Sequence, residues 1–165
     1  MADMGVREEE DSLTDSLRDK YLTFLVEREQ YGIEIKYVTE IIGIQLITEV
    51  PQMPDYIRGV INLRGTIIPV MDVRIRFGKP PKAYSDRTCV IVIELGDLAI
   101  GLIVDSVSEV LSIDTADIVP PPELYDGGNR FVAGIGKAGS AVMLLLDCNR
   151  LLNEQEIAVD SIIMN

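Results

Sequence analysis

The side chains best able to transfer protons in this chain are carboxylates set among apolar residues, Glu40, Glu94 and Glu109. Acid–base catalysis needs such a group to be desolvated and to face a partner. The chain contains no His, the usual partner and the one side chain that ordinarily titrates near neutrality. The three acids therefore read as solvated surface groups, and the charge of the chain should change little between about pH 6 and 8. Gly134-Ile135-Gly136-Lys137-Ala138-Gly139 has the spacing of a dinucleotide-binding loop. That chemistry needs a helix to follow and present its N-terminus to pyrophosphate, whereas SAVMLLL follows, a strand-like run, so the segment reads as a hairpin turn. Cys89 and Cys148 have no CxxC spacing and the acidic N-terminus lacks a signal-peptide pattern, so buried reduced thiols are expected. With no P-loop, HExxH or calcium-loop pattern, no metal, cofactor or enzymatic activity is expected.

The chemistry that remains is recognition, and it concentrates in residues 56–78, YIRGVINLRGTIIPVMDVRIRFG. Two strand-like runs flank the polar turn Asn62-Leu63-Arg64-Gly65. Alternation along a strand sends Ile57, Ile61 and Leu63 to one face and Arg58, Val60, Asn62 and Arg64 to the other. Gly59 marks a bulge or a close backbone approach, and Gly65 can supply a positive φ. Pro69 confines the second run to a sheet edge or a bulge. Asp72 caps a short helix through Phe77, which Gly78, Pro80 and Pro81 stop. Taken singly, Arg58 and Arg64 read as solvated arginines; in context, seven bases against two acids between positions 58 and 87 leave a local +5 in a chain of net charge −12. Such a patch suits docking.

The elements that must hold this stretch are β-rich. At 165 residues and 47% apolar composition the chain suits one domain or two small lobes. Its longest apolar runs fall far short of the roughly 20 residues of a spanning helix, so a soluble cytoplasmic protein without direct membrane contact is expected. With 27 acids against 15 bases and 5% aromatics, nucleic acid is an unfavourable partner, although small barrels of the oligonucleotide-binding type make such a module the alternative of another class.

Residues 1–19, with seven acids and two bases, read as an acidic disordered arm. A first hairpin is expected from 21–28 and 31–35, turning at Glu29-Gln30, with Gly32 as a possible bulge. One helical turn over 36–41 and a strand over 43–50 follow. The Pro-rich connector KPPKAYSD places a lobe boundary near Ser85. Strands at 88–95 and 98–104 joined by Gly96-Asp97, a loop from Pro120 through 126–129, a hairpin over 131–146, and a helix over 148–156 capped by Asp147 complete the chain.

Residues 32–41 match residues 101–110 at a constant offset of 69, with Glu40 aligned to Glu109. Gly59 with Gly65 is echoed by Gly134 with Gly139, and Asp72 by Asp147. This reads as an internal duplication, chance similarity of Val/Ile-rich strands being the alternative. Its second copy has Gly136-Lys137-Ala138-Gly139 where the first has Asn62-Leu63-Arg64-Gly65, as if function had been grafted onto one copy.

VTEI at 38–41, RGVINLRG at 58–65, the apolar-Pro-x-x-Asp run ending at Asp72, VDSVSEV at 104–110 and LLLDCNRLL near the C-terminus together resemble the CheW family of bacterial chemotaxis coupling proteins. The resemblance covers about residues 20–153; Val73 stands where Leu is more usual. It implies an all-β fold with short helices, two tandem SH3-like five-stranded barrels and a C-terminal helix, within a CheW-like domain over 20–165. The lobes would divide at about 20–84 and 85–157. It also implies a non-catalytic adaptor that couples chemoreceptor cytoplasmic tips to the regulatory domain of the histidine kinase CheA and is recruited to membrane-receptor arrays. An adaptor of a motility or developmental kinase pathway is the related alternative. Val38, Glu40, Asn62 and Arg64 would lie at or near the receptor-binding groove between the lobes, with Ile41, Arg58, Gly59 and Leu63 as possible partner surface. Their opposite charges beside the polar turn lead to the expectation that Arg64 pairs with Glu40.

Overall fold

The computed structural model describes residues 17–122 and 130–152. Most of the acidic arm, the loop at 126–129 and the helical residues expected beyond 152 lie outside the described residues. Short strands dominate: β1 (Lys20–Val26), β2 (Glu29–Glu34), β3 (Val38–Gly43), β4 (Ile57–Leu63), β5 (Thr66–Asp72), β6 (Cys89–Leu95), β7 (Leu98–Val104), β8 (Ser106–Ser112), β9 (Ile118–Val119), β10 (Val132–Ala138) and β11 (Ala141–Leu146). One-turn helices α1 (Val73–Arg76) and α2 (Cys148–Leu151) follow β5 and β11. One sheet runs in the order β3-β6-β7-β5-β4 and the other β8-β1-β2-β11-β10-β9.

Each sheet curls until its edges meet, giving two small barrels. Past β3 the chain crosses to β4, where Thr48 and Val60 exchange backbone hydrogen bonds of 2.9 Å. Past β8 it crosses likewise to β10 through β9.

The boundary expected near Ser85 does not separate the barrels. The β1–β2 hairpin pairs with β8 and β11, and the β6–β7 hairpin pairs with β3 and β5. Each half of the chain thus lends its first hairpin to the other half's barrel. The lent hairpins face inward on one side: Leu22, Phe24, Val26, Tyr31 and Ile33 meet Ile91, Ile93, Ile100, Leu102 and Val104 in the largest core, which lies between the barrels. Smaller cores fill the barrel interiors, one around Ile61, Val70, Val90 and Ile103, the other around Ile113, Met143 and Leu145. Because burial of apolar area is the main favourable term in folding, the exchange makes the two barrels one cooperative body.

The duplication is real in three dimensions. β1 and β2 correspond to β6 and β7 at the offset of 69, while β4, β5 and α1 correspond to β10, β11 and α2 at an offset of 75. β4 and β10 share the same alternation of burial, and each carries a register shift at its second residue, between Ile57 and Gly59 and between Val132 and Gly134. Gly59, at φ 145°, meets both expectations made for it: it sits at that bulge, and a Cβ there would lie 2.1 Å from the Thr48 carbonyl oxygen.

Asp72 and Asp147 cap the helices as expected, accepting from the N–H of Arg74 at 3.0 Å and of Asn149 at 2.9 Å. Gly96-Asp97 forms the β6–β7 turn, and residues 134–139 belong to the β10–β11 hairpin rather than to a nucleotide loop.

Several local expectations fail, each because a distant contact overrides a local signal. The first hairpin turns at Glu27-Arg28, two residues early, because Glu27 is anchored there: its N–H donates to Asp105 at 2.9 Å and its carboxylate pairs with Arg74. Gly32 makes no bulge; it admits the Leu145 side chain, which a Cβ would approach to 2.9 Å. Residues 35–37 form the 3-10 turn, and Val38 to Ile41 extend along β6 instead of coiling. Of the strand expected over 43–50, only Gly43, at the end of β3, and Thr48 pair. β8, rich in serine, was not anticipated; it is stabilised by β1. Pro69 does not place β5 at an edge. Val60 spends its N–H and carbonyl on Thr48, so Pro69 opposite it owes β4 no hydrogen bond, and the parallel ladder to β7 begins at Val70. Cys148 is buried, whereas Cys89 is only half-buried.

Candidate functional site

β3 and β4 stand at opposite edges of their sheet, and barrel closure brings them together. On β3 a register shift between Val38 and Glu40 leaves Thr39 to donate its hydroxyl to the Val92 carbonyl at 3.1 Å. Val38 and Glu40 are half-buried and Ile41 is 43% exposed. Val38 packs against the core between the barrels, while Leu63 packs into the barrel interior. The β4–β5 hairpin is closed by Arg64 and Gly65 alone, both at positive φ, 51° and 89°, the geometry of a type I′ turn. Asn62 braces it, its Oδ1 accepting from the Gly65 N–H at 2.8 Å.

From this turn the Arg64 guanidinium reaches across the seam to Glu40, donating through Nη2 to Oε2. The expected ion pair is present. The hydrogen bond and the charge of Glu40 hold the Arg64 pKa above its ordinary value, so Arg64 stays a cation at any physiological pH. Its side chain is 71% exposed, against 27% for Glu40. A pair this open to water contributes little stability; what it fixes is where a cation stands. Glu40 Oε1, by contrast, is buried and makes no hydrogen bond among the described residues.

Asn62, Arg64, Glu40, Ile41 and Val38 therefore share the closing edge of one barrel. Gly59 does not join them: it is buried beneath Thr48, so it shapes the scaffold rather than a surface. Arg58 is exposed but stands beside Tyr84, whose hydroxyl donates to Asp72 at 3.0 Å. The Tyr84 phenol is pushed up to about 12 by burial first and by Asp72 next, with Arg58 opposing. A cleft of about 480 Å³ opens elsewhere, between Leu17–Tyr21, Glu34 and Lys36, and includes none of these residues.

The +5 of residues 58–87 is not one surface patch. Arg74 and Arg76 are both buried. Arg74 is clamped between Glu27 and Asp105, the latter at 2.8 Å, and these partners outweigh the burial that opposes its charge, leaving its pKa raised. Arg76 lies over the rings of Tyr56 and Phe131, 4.4 and 4.7 Å from their centroids, and donates to the Leu151 carbonyl at 3.1 Å. These cations tie α1 to the other barrel. No local spacing in the sequence marks them, because Glu27, Asp105 and Leu151, which hold them, are remote in the chain.

Glu94 and Glu109 lie exposed on separate sheets, and no group of three or more His, Cys, Asp or Glu able to hold a metal occurs among the described residues. Nor is any described helix long and apolar enough to cross a membrane.

Comparison with known proteins agrees with this architecture. Residues 20–156 match the CheW-like domain. The chain is 37% identical over 146 residues to the chemotaxis protein CheW of Klebsiella aerogenes, covering 88% of each chain. It is 30% identical over 135 residues to CheW of Helicobacter pylori, covering 82% of each. The crystal structure of the scaffolding protein TtCheW from Thermoanaerobacter tengcongensis superposes with a TM-score of 0.78 at 37% identity, covering 84% of this chain and 97% of that one. A mostly β chain with two barrels, short capped helices and this breadth of similarity belongs to the CheW family of non-catalytic chemotaxis adaptors.

Proposed function

We propose that this adaptor couples the cytoplasmic tips of chemoreceptors to the regulatory domain of the histidine kinase CheA, working in the cytoplasm beneath receptor arrays. In this reading the receptor tip seats on Val38, Glu40 and Arg64 beside the turn that Asn62 braces, with Ile41 as flanking apolar surface. The observation that carries it is the Arg64–Glu40 pair across the barrel seam. It joins two strands from opposite sheet edges and presents a cation in a chain of net charge −12. An exposed pair that adds little to stability is better explained by recognition than by folding.

The test is a pull-down of the full chain with purified kinase regulatory domain and, separately, with a receptor tip fragment. The unmodified chain should capture both, and Arg64→Glu should lose the receptor fragment while keeping the kinase domain. Capture of neither by the unmodified chain, or undiminished receptor capture by Arg64→Glu, overturns the reading.

A further inference from the structure

We propose that Asn62 is a positioning residue: its carboxamide oxygen is committed to the turn, and it serves recognition by holding Arg64 where the guanidinium reaches Glu40. The inference rests on the receptor-binding reading above but assigns Asn62 a different task from partner contact.

The Oδ1 of Asn62 already accepts from the Gly65 N–H at 2.8 Å. Between the two residues lies Arg64 at φ 51°, a left-handed conformation that crowds its Cβ against the following carbonyl. The exposed pair with Glu40 is too weak to impose that conformation by itself. An Asx-type bond spanning the turn is the local device that can, because it ties Asn62 to the Gly65 N–H across the left-handed residue.

The second barrel supplies an internal control. Its equivalent turn has Lys137 in the place of Asn62 and Gly139 in the place of Arg64, with Gly139 at φ 62°. Glycine adopts a positive φ freely, so that turn needs no side-chain brace, and its second central residue, Ser140, is not at positive φ. The brace occurs where a cation must stand in a conformation that glycine would otherwise be chosen to fill.

The experiment uses the full chain with Asn62→Ala, Asn62→Asp and Asn62→Lys, the last borrowing the residue of the second copy. Receptor-fragment affinity and amide exchange of Gly65 by NMR are read for each, with urea midpoints confirming that each variant is folded. Asn62→Ala and Asn62→Lys should weaken the affinity about fivefold and speed Gly65 exchange by a similar factor. Asn62→Asp, which keeps an acceptor oxygen and loses the amide donor, should retain both. Equal loss with Asp and Ala would mean that the amide donor touches the partner, and unchanged Gly65 exchange in Asn62→Ala would mean that the brace is idle; either overturns the proposal. If the unmodified chain binds no receptor fragment, the receptor-binding reading fails, while Gly65 exchange still decides whether Asn62 fixes the turn.

Discussion

The two hairpin turns at residues 62–65 and 137–140 occupy equivalent places in two barrels of one molecule, yet they are built by different chemistry. Both have a positive φ at the first central residue, Arg64 at 51° and Gly139 at 62°, whereas the second central residue is at positive φ in Gly65, 89°, and not in Ser140. The backbone requirement therefore belongs to the scaffold, and each copy meets it in its own way. The second uses glycine and presents little. The first forces an arginine into that conformation, braces it with Asn62 and aims it at Glu40. Glu109, the counterpart of Glu40, lies exposed on β8. Duplication supplied two frames, and only one was turned into a charged corner. Sequence alignment alone paired Gly139 with Gly65; the structure moves it by one residue onto Arg64, which is what makes the specialisation visible.

The comparison can be broken first at the paired bulges. Gly59→Ala should destabilise the chain by about 3 to 5 kcal/mol, since it combines a strained φ with overlap against the Thr48 backbone. Gly134→Ala should cost about 1 to 2 kcal/mol, because a Cβ there crowds the Ile118 side chain, at 2.8 Å, while the Val119 carbonyl oxygen stands off at 3.4 Å and φ is not positive. Urea unfolding of both variants checks the order; equal losses would show that the two bulges are under the same constraint.

A smaller effect separates the two turns. Gly139→Ala has open space for its Cβ but must adopt φ 62°, and should lose about 1 kcal/mol. Arg64→Gly should have the opposite sign or none in the same denaturant experiment, while abolishing capture of a receptor fragment. A destabilised Arg64→Gly would mean that the arginine serves folding after all.

The smallest effect is confined to alkali. Cys148 fills the place that Val73 fills in the first copy, and burial pushes its thiol from 9.0 up to about 12. A folded-state pKa above the unfolded one gives stability that is complete below about pH 9 and lost as pH rises toward 12. Cys148→Val should flatten that part of the stability–pH curve and leave neutral stability nearly unchanged; an unaltered slope would assign the alkaline loss to the tyrosines.

What the sequence determined by itself is the local layer. Hairpins, the caps at Asp72 and Asp147 and the bulge glycine are each encoded by residues a few positions apart, through alternation, turn chemistry and side-chain capping, and the duplication shows as those local patterns recurring. The charged corner was legible for the same reason: Asn62, Arg64 and Gly65 form one turn, and the expectation that Glu40 would complete it came from charge and family resemblance. Tertiary structure alone decided which hairpin entered which barrel, because the apolar faces of β1–β2 and β6–β7 are nearly interchangeable and their partners are remote in the chain. It also decided that Arg74 and Arg76, counted from sequence as surface charge, should be buried. A cation goes inside only where carboxylates, carbonyls and aromatic faces from distant segments meet it, and no local pattern announces that meeting.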